Sequence, residues 1–231
     1  MEWFNRSGVG AISDLQDSTY LNTFDELEKW SNDFLLESPK FLSKDYIWPR
    51  DPLHTWSRIW EYPFIYSNII SVKNANKNDS TLKIVDVGSG VTFFPFALAA
   101  SGMDVYCTDF DPIIERDMQL AIKTLNNHSG KISFKKTDGL TLPFEDNSID
   151  IIYCISVLEH IPKFENTVKR MIADKHYVGP HSDRHLLYIP WENRDSLLIT
   201  RKQFDEDLTA NLEQLHKSAA PSRPWICLAG S

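Results

Sequence analysis

Three aspartates, Asp86, Asp109 and Asp138, each stand at the end of a short apolar run, in "KIVDVG", "DVYCTDF" and "KISFKKTD". Gly88 and Gly90 follow the first of them at alternate positions. Glycine placed directly after a strand lets the backbone turn tightly and come close to a ligand, and open α/β sheets bind ligands at that carboxyl edge. Asp109 lies 21 residues beyond Gly88, close to the roughly 20-residue interval at which a carboxylate meets ribose hydroxyls. That spacing implies a nucleoside. Asp138 adds an acceptor at the same edge, where an adenine amino group could be read. The three carboxylates are expected to converge on one crevice with no compensating Lys or Arg in their loops, a setting that suits a cation better than a phosphorylated nucleotide.

The loop also excludes ligands. In the dinucleotide fingerprint a third glycine lets the next helix press close and aim its N-terminus at a pyrophosphate; here Phe93 occupies that place. A phosphate-binding loop of the nucleoside-triphosphate type needs Lys followed by Ser or Thr, and this glycine loop contains no such pair.

Elements must hold these residues in place. From Leu82 onward short apolar runs alternate with longer amphipathic ones: "KIVDVG", "FFPFALAAS", "DVYCTDF", "DPIIERDMQLAIKTLNN", "KISFKKTD", "SIDIIYCISV" and "FENTVKRMIADK". That alternation predicts a doubly wound α/β sheet with helices on both faces of buried strands. Asp111 before Pro112 predicts an N-cap and first turn of a helix. Further on, "HLLYIPW" and "PWICLAGS" are two more strand candidates, making six, and "RKQFDEDLTANLEQLHK" is a helix candidate. Upstream, "STYLNTFDELEKWSNDFLLE" has helical periodicity with Leu21, Phe24, Leu27 or Glu28, and Phe34 or Leu35 on one face. "LHTWSRIWEYPFIYSNIISV" predicts a second helix that Pro63 either kinks or restarts, and "KNANKNDS" is a polar linker. The expected division is residues 1–80 as a helical cap and linker and residues 81–231 as the sheet domain.

The chain has 231 residues, 42% hydrophobic and 24% charged, the composition of a globular protein with one sizeable core. Acidic residues outnumber basic ones by 32 to 24, a net charge of −8; this argues against nucleic acid as a partner. Cys107, Cys154 and Cys227 are far apart in apolar runs, which fits a reducing compartment. No apolar run reaches the roughly 18–20 residues of a membrane span, so a cytoplasmic protein with no membrane partner is expected. The histidines His176, His181 and His185 share one loop without a Cys or paired acid at ligand spacing, and no metal is assigned. The sequence leaves the oligomeric state open.

Taken in order, "VDVGSG", "VYCTDFDP", "KKTDGLTLPFEDNSID" and "IIYCISVLEHIP" resemble the Rossmann-type, or class I, S-adenosylmethionine-dependent methyltransferases over roughly residues 80–165. The resemblance implies a Rossmann-like methyltransferase fold, α/β with a doubly wound, mostly parallel sheet, carrying a helical N-terminal extension. It implies S-adenosylmethionine as cofactor, with Asp86, Gly88, Ser89 and Gly90 around the methionine end, Asp109 and Phe110 at ribose and adenine, Asp138 and Gly139 bordering the adenine, and Ile155 lining the floor. "WSRIWEYPF" is similar to an N-terminal segment of some bacterial members, so Arg58 and Glu61 are expected to help close the site. The family's usual third glycine is Thr92 here, and its C-terminal strand hairpin and Gly-Gly turn have no counterpart.

In-line methyl transfer asks the protein to hold a nucleophile at attack distance and exclude water; a hydroxyl acceptor also wants a base. His160 in "LEHIP" is the candidate, weighed against a structural histidine, and His54 and Tyr62 are candidate contributors to the acceptor site. The acceptor expected is a small molecule or natural product. Two alternatives are a non-catalytic S-adenosylmethionine-binding module with a protein partner and an NAD-dependent oxidoreductase.

Overall fold

The computed structural model describes residues 4, 12–55, 58–76, 80–126, 128–138, 142–145, 148–157, 186–187 and 225–229. Among them are four α-helices, α1 (Ser18–Glu37), α2 (Arg58–Ala75), α3 (Phe94–Ala100) and α4 (Pro112–Thr124), and six strands, β1 (Lys83–Val87), β2 (Asp104–Asp109), β3 (Ile132–Lys136), β4 (Ile151–Ile155), β5 (Leu186–Leu187) and β6 (Trp225–Ala229).

The sheet order is β3-β2-β1-β4-β6-β5, and every described pairing is parallel. The two central strands β1 and β4 are covered on both faces and read as largely apolar runs: all of β4 and all of β1 beyond Lys83 are buried. β3, paired with β2 alone, is largely solvated beyond Ile132. The six strand candidates of the sequence are all strands. The last of them, β6, lies inside β5 and against β4, and β5 and β6 run parallel where the family would have a hairpin. The helix candidates "FENTVKRMIADK" and "RKQFDEDLTANLEQLHK" fall outside the described residues.

α1 spans the expected segment and is capped by Asp17, whose carboxylate accepts from Thr19 N and Tyr20 N. Its buried face runs through Tyr20, Leu27, Ser31 and Phe34 with Phe24 partly buried, a 3-4 alternation. Leu21, expected inward, is 47% exposed, because Tyr20 and not Leu21 lies on that stripe.

α2 is buried nearly all round and contains Pro63. A proline inside a helix has no N–H for the carbonyl four residues back, here that of Ile59. The Tyr20 hydroxyl of α1 donates to this carbonyl at 2.8 Å, so a side chain from the neighbouring helix supplies the missing donor. Trp60 stacks on Phe64 with ring centroids 4.4 Å apart and donates to Asp14 at 2.8 Å. Phe34 meets Phe96 of α3, and Tyr62 meets Phe94. The buried side chains of α1, α2, α3 and the sheet therefore form one continuous core. No helix among the described residues is long and apolar enough to cross a membrane.

Candidate functional site

The strand order reverses between β1 and β4, the kind of switch point at which open α/β sheets bind ligands. A cavity of about 520 Å³ opens there, between Val87 to Gly90 after β1 and Ile155 to Val157 at the end of β4.

One wall is made largely of backbone. Gly88 and Gly90 have φ of 69° and 54°, left-handed values that a side chain resists. A Cβ on Gly88 would also collide with both methyls of Val157. Ser89 N–H donates to Thr108 O at 2.9 Å, which ties the glycine loop to β2. Gly90 N–H donates to Asp109 Oδ2 at 3.2 Å, while Asp109 Oδ1 accepts from Phe110 N at 2.8 Å and Asp111 N at 3.1 Å. Three backbone donors thus hold this carboxylate, and each oxygen keeps acceptor capacity for a hydroxyl. Burial raises the Asp109 pKa more than these hydrogen bonds lower it. Asp111 is the N-cap of α4, accepting from Ile113 N at 2.8 Å, and also borders the cavity with Ile114. Phe110 stands on the rim, 69% exposed, near Thr137 and Asp138.

The opposite wall is made of side chains from a strap between α1 and α2. Ser43 donates through N and Oγ to Asp117 Oδ2 of α4 at 2.9 and 2.8 Å, and Asp117 is fully buried. From this anchor the strap crosses the glycine loop. Tyr46 Oη donates to Val91 O and accepts from Val91 N, both at 3.4 Å. Trp48, Pro49 and Pro52 line the mouth, and Arg58 and Tyr62 of α2 complete the wall. Burial raises the Tyr62 pKa well above its ordinary value, with Arg58 acting the other way; the phenol stays protonated.

Gly88, Ser89, Gly90, Asp109, Phe110, Asp138, Ile155 and Tyr62 all line this cavity. Asp86, expected on the same edge, lies beneath it instead, 4% exposed and not on the cavity surface. A strand covered on both faces has no solvent side for it. Burial pushes its carboxyl up to about 8, the charge of Asp109 adds to that, and the nearby Tyr153 hydroxyl opposes it. The Tyr153 hydroxyl itself makes no hydrogen bond of good geometry. Among the described residues the negative charge on the cavity surface comes from Asp109, Asp111 and Asp138, and Arg58 is the cation facing them.

His54 is not on the cavity surface. Its Nδ1 lies 2.9 Å from Asp51 Oδ2 and its Nε2 3.3 Å from Glu28 Oε1; burial lowers its pKa, but the two acids outweigh that and the net shift is upward. His160 and Gly139 lie outside the described residues, as do His176, His181 and His185. Among the described residues no group of acids, His and Cys is arranged to hold a metal. Phe93 does not intrude on the cavity: it is fully buried, 5.2 Å from the Tyr62 ring, so its bulk is spent in the core and does not itself bar a pyrophosphate.

Sequence reasoning missed Tyr46, Pro49 and Pro52, and read Trp48 as packing more readily than pocket lining, although "YIWPRDP" is an aromatic and proline cluster. It also missed Ser156, which follows β4 with φ of 53° and carries no sequence mark.

The cavity fits a nucleoside that carries a positive charge. Two left-handed glycines bring backbone to the cavity wall, a fixed carboxylate faces the loop, and among the described lining residues three acids face one arginine. Residues 85–173 match the model of a family described as a methyltransferase domain. An uncharacterized methyltransferase of Mycolicibacterium vanbaalenii is 31% identical over 85 residues, 37% of this chain and 31% of that protein. Phosphoethanolamine N-methyltransferase 1 of Caenorhabditis elegans is 28% identical over 45% of this chain and 21% of its own length, and a sterol 24-C-methyltransferase of Neurospora crassa is 34% identical over 36% and 22%. The matches thus span less than a third of these relatives' lengths. A SAM-dependent methyltransferase structure from Aquifex aeolicus overlaps 60% of this chain and 74% of its own at TM-score 0.40 and 14% identity. Over residues 85–173 the chain is thus similar to methyltransferase domains, as its resemblance to the Rossmann-type S-adenosylmethionine-dependent methyltransferases implies.

Proposed function

We propose that the chain is an S-adenosylmethionine-dependent methyltransferase acting on a small-molecule acceptor, with residues 1–80 as a cap and linker and residues 81–231 as the cofactor-binding part. The observation that carries this reading is the Gly90 N–H bonded to the Asp109 carboxylate at the lip of the cavity. It joins a loop that can approach a ligand closely to an acceptor suited to ribose hydroxyls.

In this reading Gly88, Ser89 and Gly90 face the methionine end of the cofactor, Asp109 takes the ribose hydroxyls, Phe110 and Asp138 flank the adenine, and Ile155 forms the floor. When bound, the cofactor supplies a methyl group on a sulfonium that is already a good leaving group. The chain's own task is to orient the acceptor and keep water out. Tyr46, Trp48, Pro49 and Pro52 form an apolar cover suited to the second task. Tyr62, protonated at neutral pH, can donate a hydrogen bond and does not serve as a base. His160 is the proposed base for a hydroxyl acceptor. His54, already paired with two acids, has no part in the acceptor site in this reading. The acceptor class is supported by the cavity volume, within the ~300–1,000 Å³ of small-molecule pockets, and by relatives named for phosphoethanolamine and sterol.

Calorimetric titration of the full chain with S-adenosylhomocysteine and with NAD tests the reading. Saturable binding of S-adenosylhomocysteine is expected; binding of NAD alone would replace the proposal with an oxidoreductase.

A further inference from the structure

Glu61 of α2 is fully buried, a rare position for an acidic side chain unless it is paired. Its Oε2 accepts from the Ser156 hydroxyl at 2.8 Å, across 95 residues of sequence. Ser156 is the non-glycine residue with positive φ, 53°, among those described, and it follows β4 immediately. Serine does not hold that conformation without help from its surroundings. The next residue, Val157, fills the space above the α-carbon of Gly88 so closely that a Cβ there would strike both of its methyls. Ser156, Val157 and Gly88 border the cavity, whereas Glu61 does not. Glu61 sits on the turn of α2 that sends Arg58 and Tyr62 to the cavity wall.

We propose that Glu61 is a positioning residue for the glycine loop: through the Ser156 hydroxyl it holds the residue after β4 in a left-handed conformation and so seats Val157 against Gly88. The contact sequence runs from α2 to the tip of β4 and on to the loop after β1, and it gives α2 a function beyond covering the sheet. The inference rests on the reading of the cavity as a cofactor site.

The test is calorimetric titration of the full chain with S-adenosylhomocysteine, at a temperature well below each variant's melting midpoint, with the midpoints recorded separately. Ser156→Ala removes the hydroxyl and keeps the steric penalty, so binding weakens by about tenfold, the size of one left-handed residue's cost. Ser156→Gly also lacks the hydroxyl but adopts positive φ freely, so it binds more tightly than Ser156→Ala, by roughly threefold or more. Glu61→Gln keeps an oxygen that accepts from Ser156 and binds more tightly than Glu61→Met. If Ser156→Ala melts lower yet binds as the wild type does, the contact is structural only and the proposal is overturned. If Ser156→Gly binds as weakly as Ser156→Ala, the hydroxyl acts on the ligand directly, which also overturns it. A wild-type chain that fails to bind would overturn the cofactor reading itself, and this inference with it.

Discussion

The two walls of the cavity recognise by different means. The wall from the β1, β2 and β4 tips offers backbone: two left-handed glycines, a carboxylate fixed by three N–H groups, and a strained serine. The wall from the strap and α2 offers side chains: aromatic rings, two prolines and one arginine. Backbone cannot be changed without moving the loop that carries it, whereas a side chain can be trimmed in place. Under the proposed function the difference means that the first wall sets whether a nucleoside binds at all, and the second tunes closure and the choice of acceptor.

Gly88→Ala should break the first wall. A left-handed alanine costs roughly 1–2 kcal/mol and crowding against Val157 about 1–3 more, so affinity for S-adenosylhomocysteine should fall on the order of a hundredfold or further by calorimetry. Gly90→Ala sharpens the point. Its Cβ would meet Tyr46 Oη at an ordinary 3.6 Å, so its loss should stay near the left-handed cost alone.

The buried Asp86 carboxyl makes stability depend on pH. Its pKa rises from 3.8 to about 8 on folding, so the folded chain binds the extra proton between those values. The neutral form's contribution is full below pH 3.8 and is lost as pH climbs to about 8, at up to about 1.4 kcal/mol per pH unit. Asp86→Asn should therefore show a flatter melting midpoint from pH 5 to 8 than the wild type. Parallel curves would show that Asp86 is already ionised.

Tyr20→Phe touches neither wall and serves as the contrast. It strips the donor from the Ile59 carbonyl opposite Pro63, costing about 1–3 kcal/mol of stability in denaturant unfolding, with cofactor affinity unchanged in the folded chain. Tyr46→Phe should have the smallest effect. Its two contacts are long, 3.4 Å, and their loss should cost about 0.5–1 kcal/mol at most.

The same contrast explains what could be read from the sequence. The backbone wall was legible because its devices are residue types with few other uses: glycines after an apolar run, an aspartate some 20 residues on, and Asp111 before Pro112. The strap was not, because an aromatic and proline segment without periodicity says nothing about which surface it crosses. Asp86 was misplaced for a related reason. Type and spacing put it at a strand end, but its solvent exposure depends on what covers both faces of β1. Leu21 and Tyr20 are adjacent and both apolar enough for a core face; only the packing of α1 against Ile59 of α2 decides between them. Ser156 owes its conformation to a partner 95 residues away, beyond the reach of any local pattern.

Site-resolved amide hydrogen exchange on the full chain, with and without S-adenosylhomocysteine, tests the central claim most directly. Protection should appear at the amides of Ser89, Gly90, Phe110 and Val157, around the cavity mouth. Ligand-induced protection confined to other parts of the chain, or no protection at saturating ligand, would contradict the account.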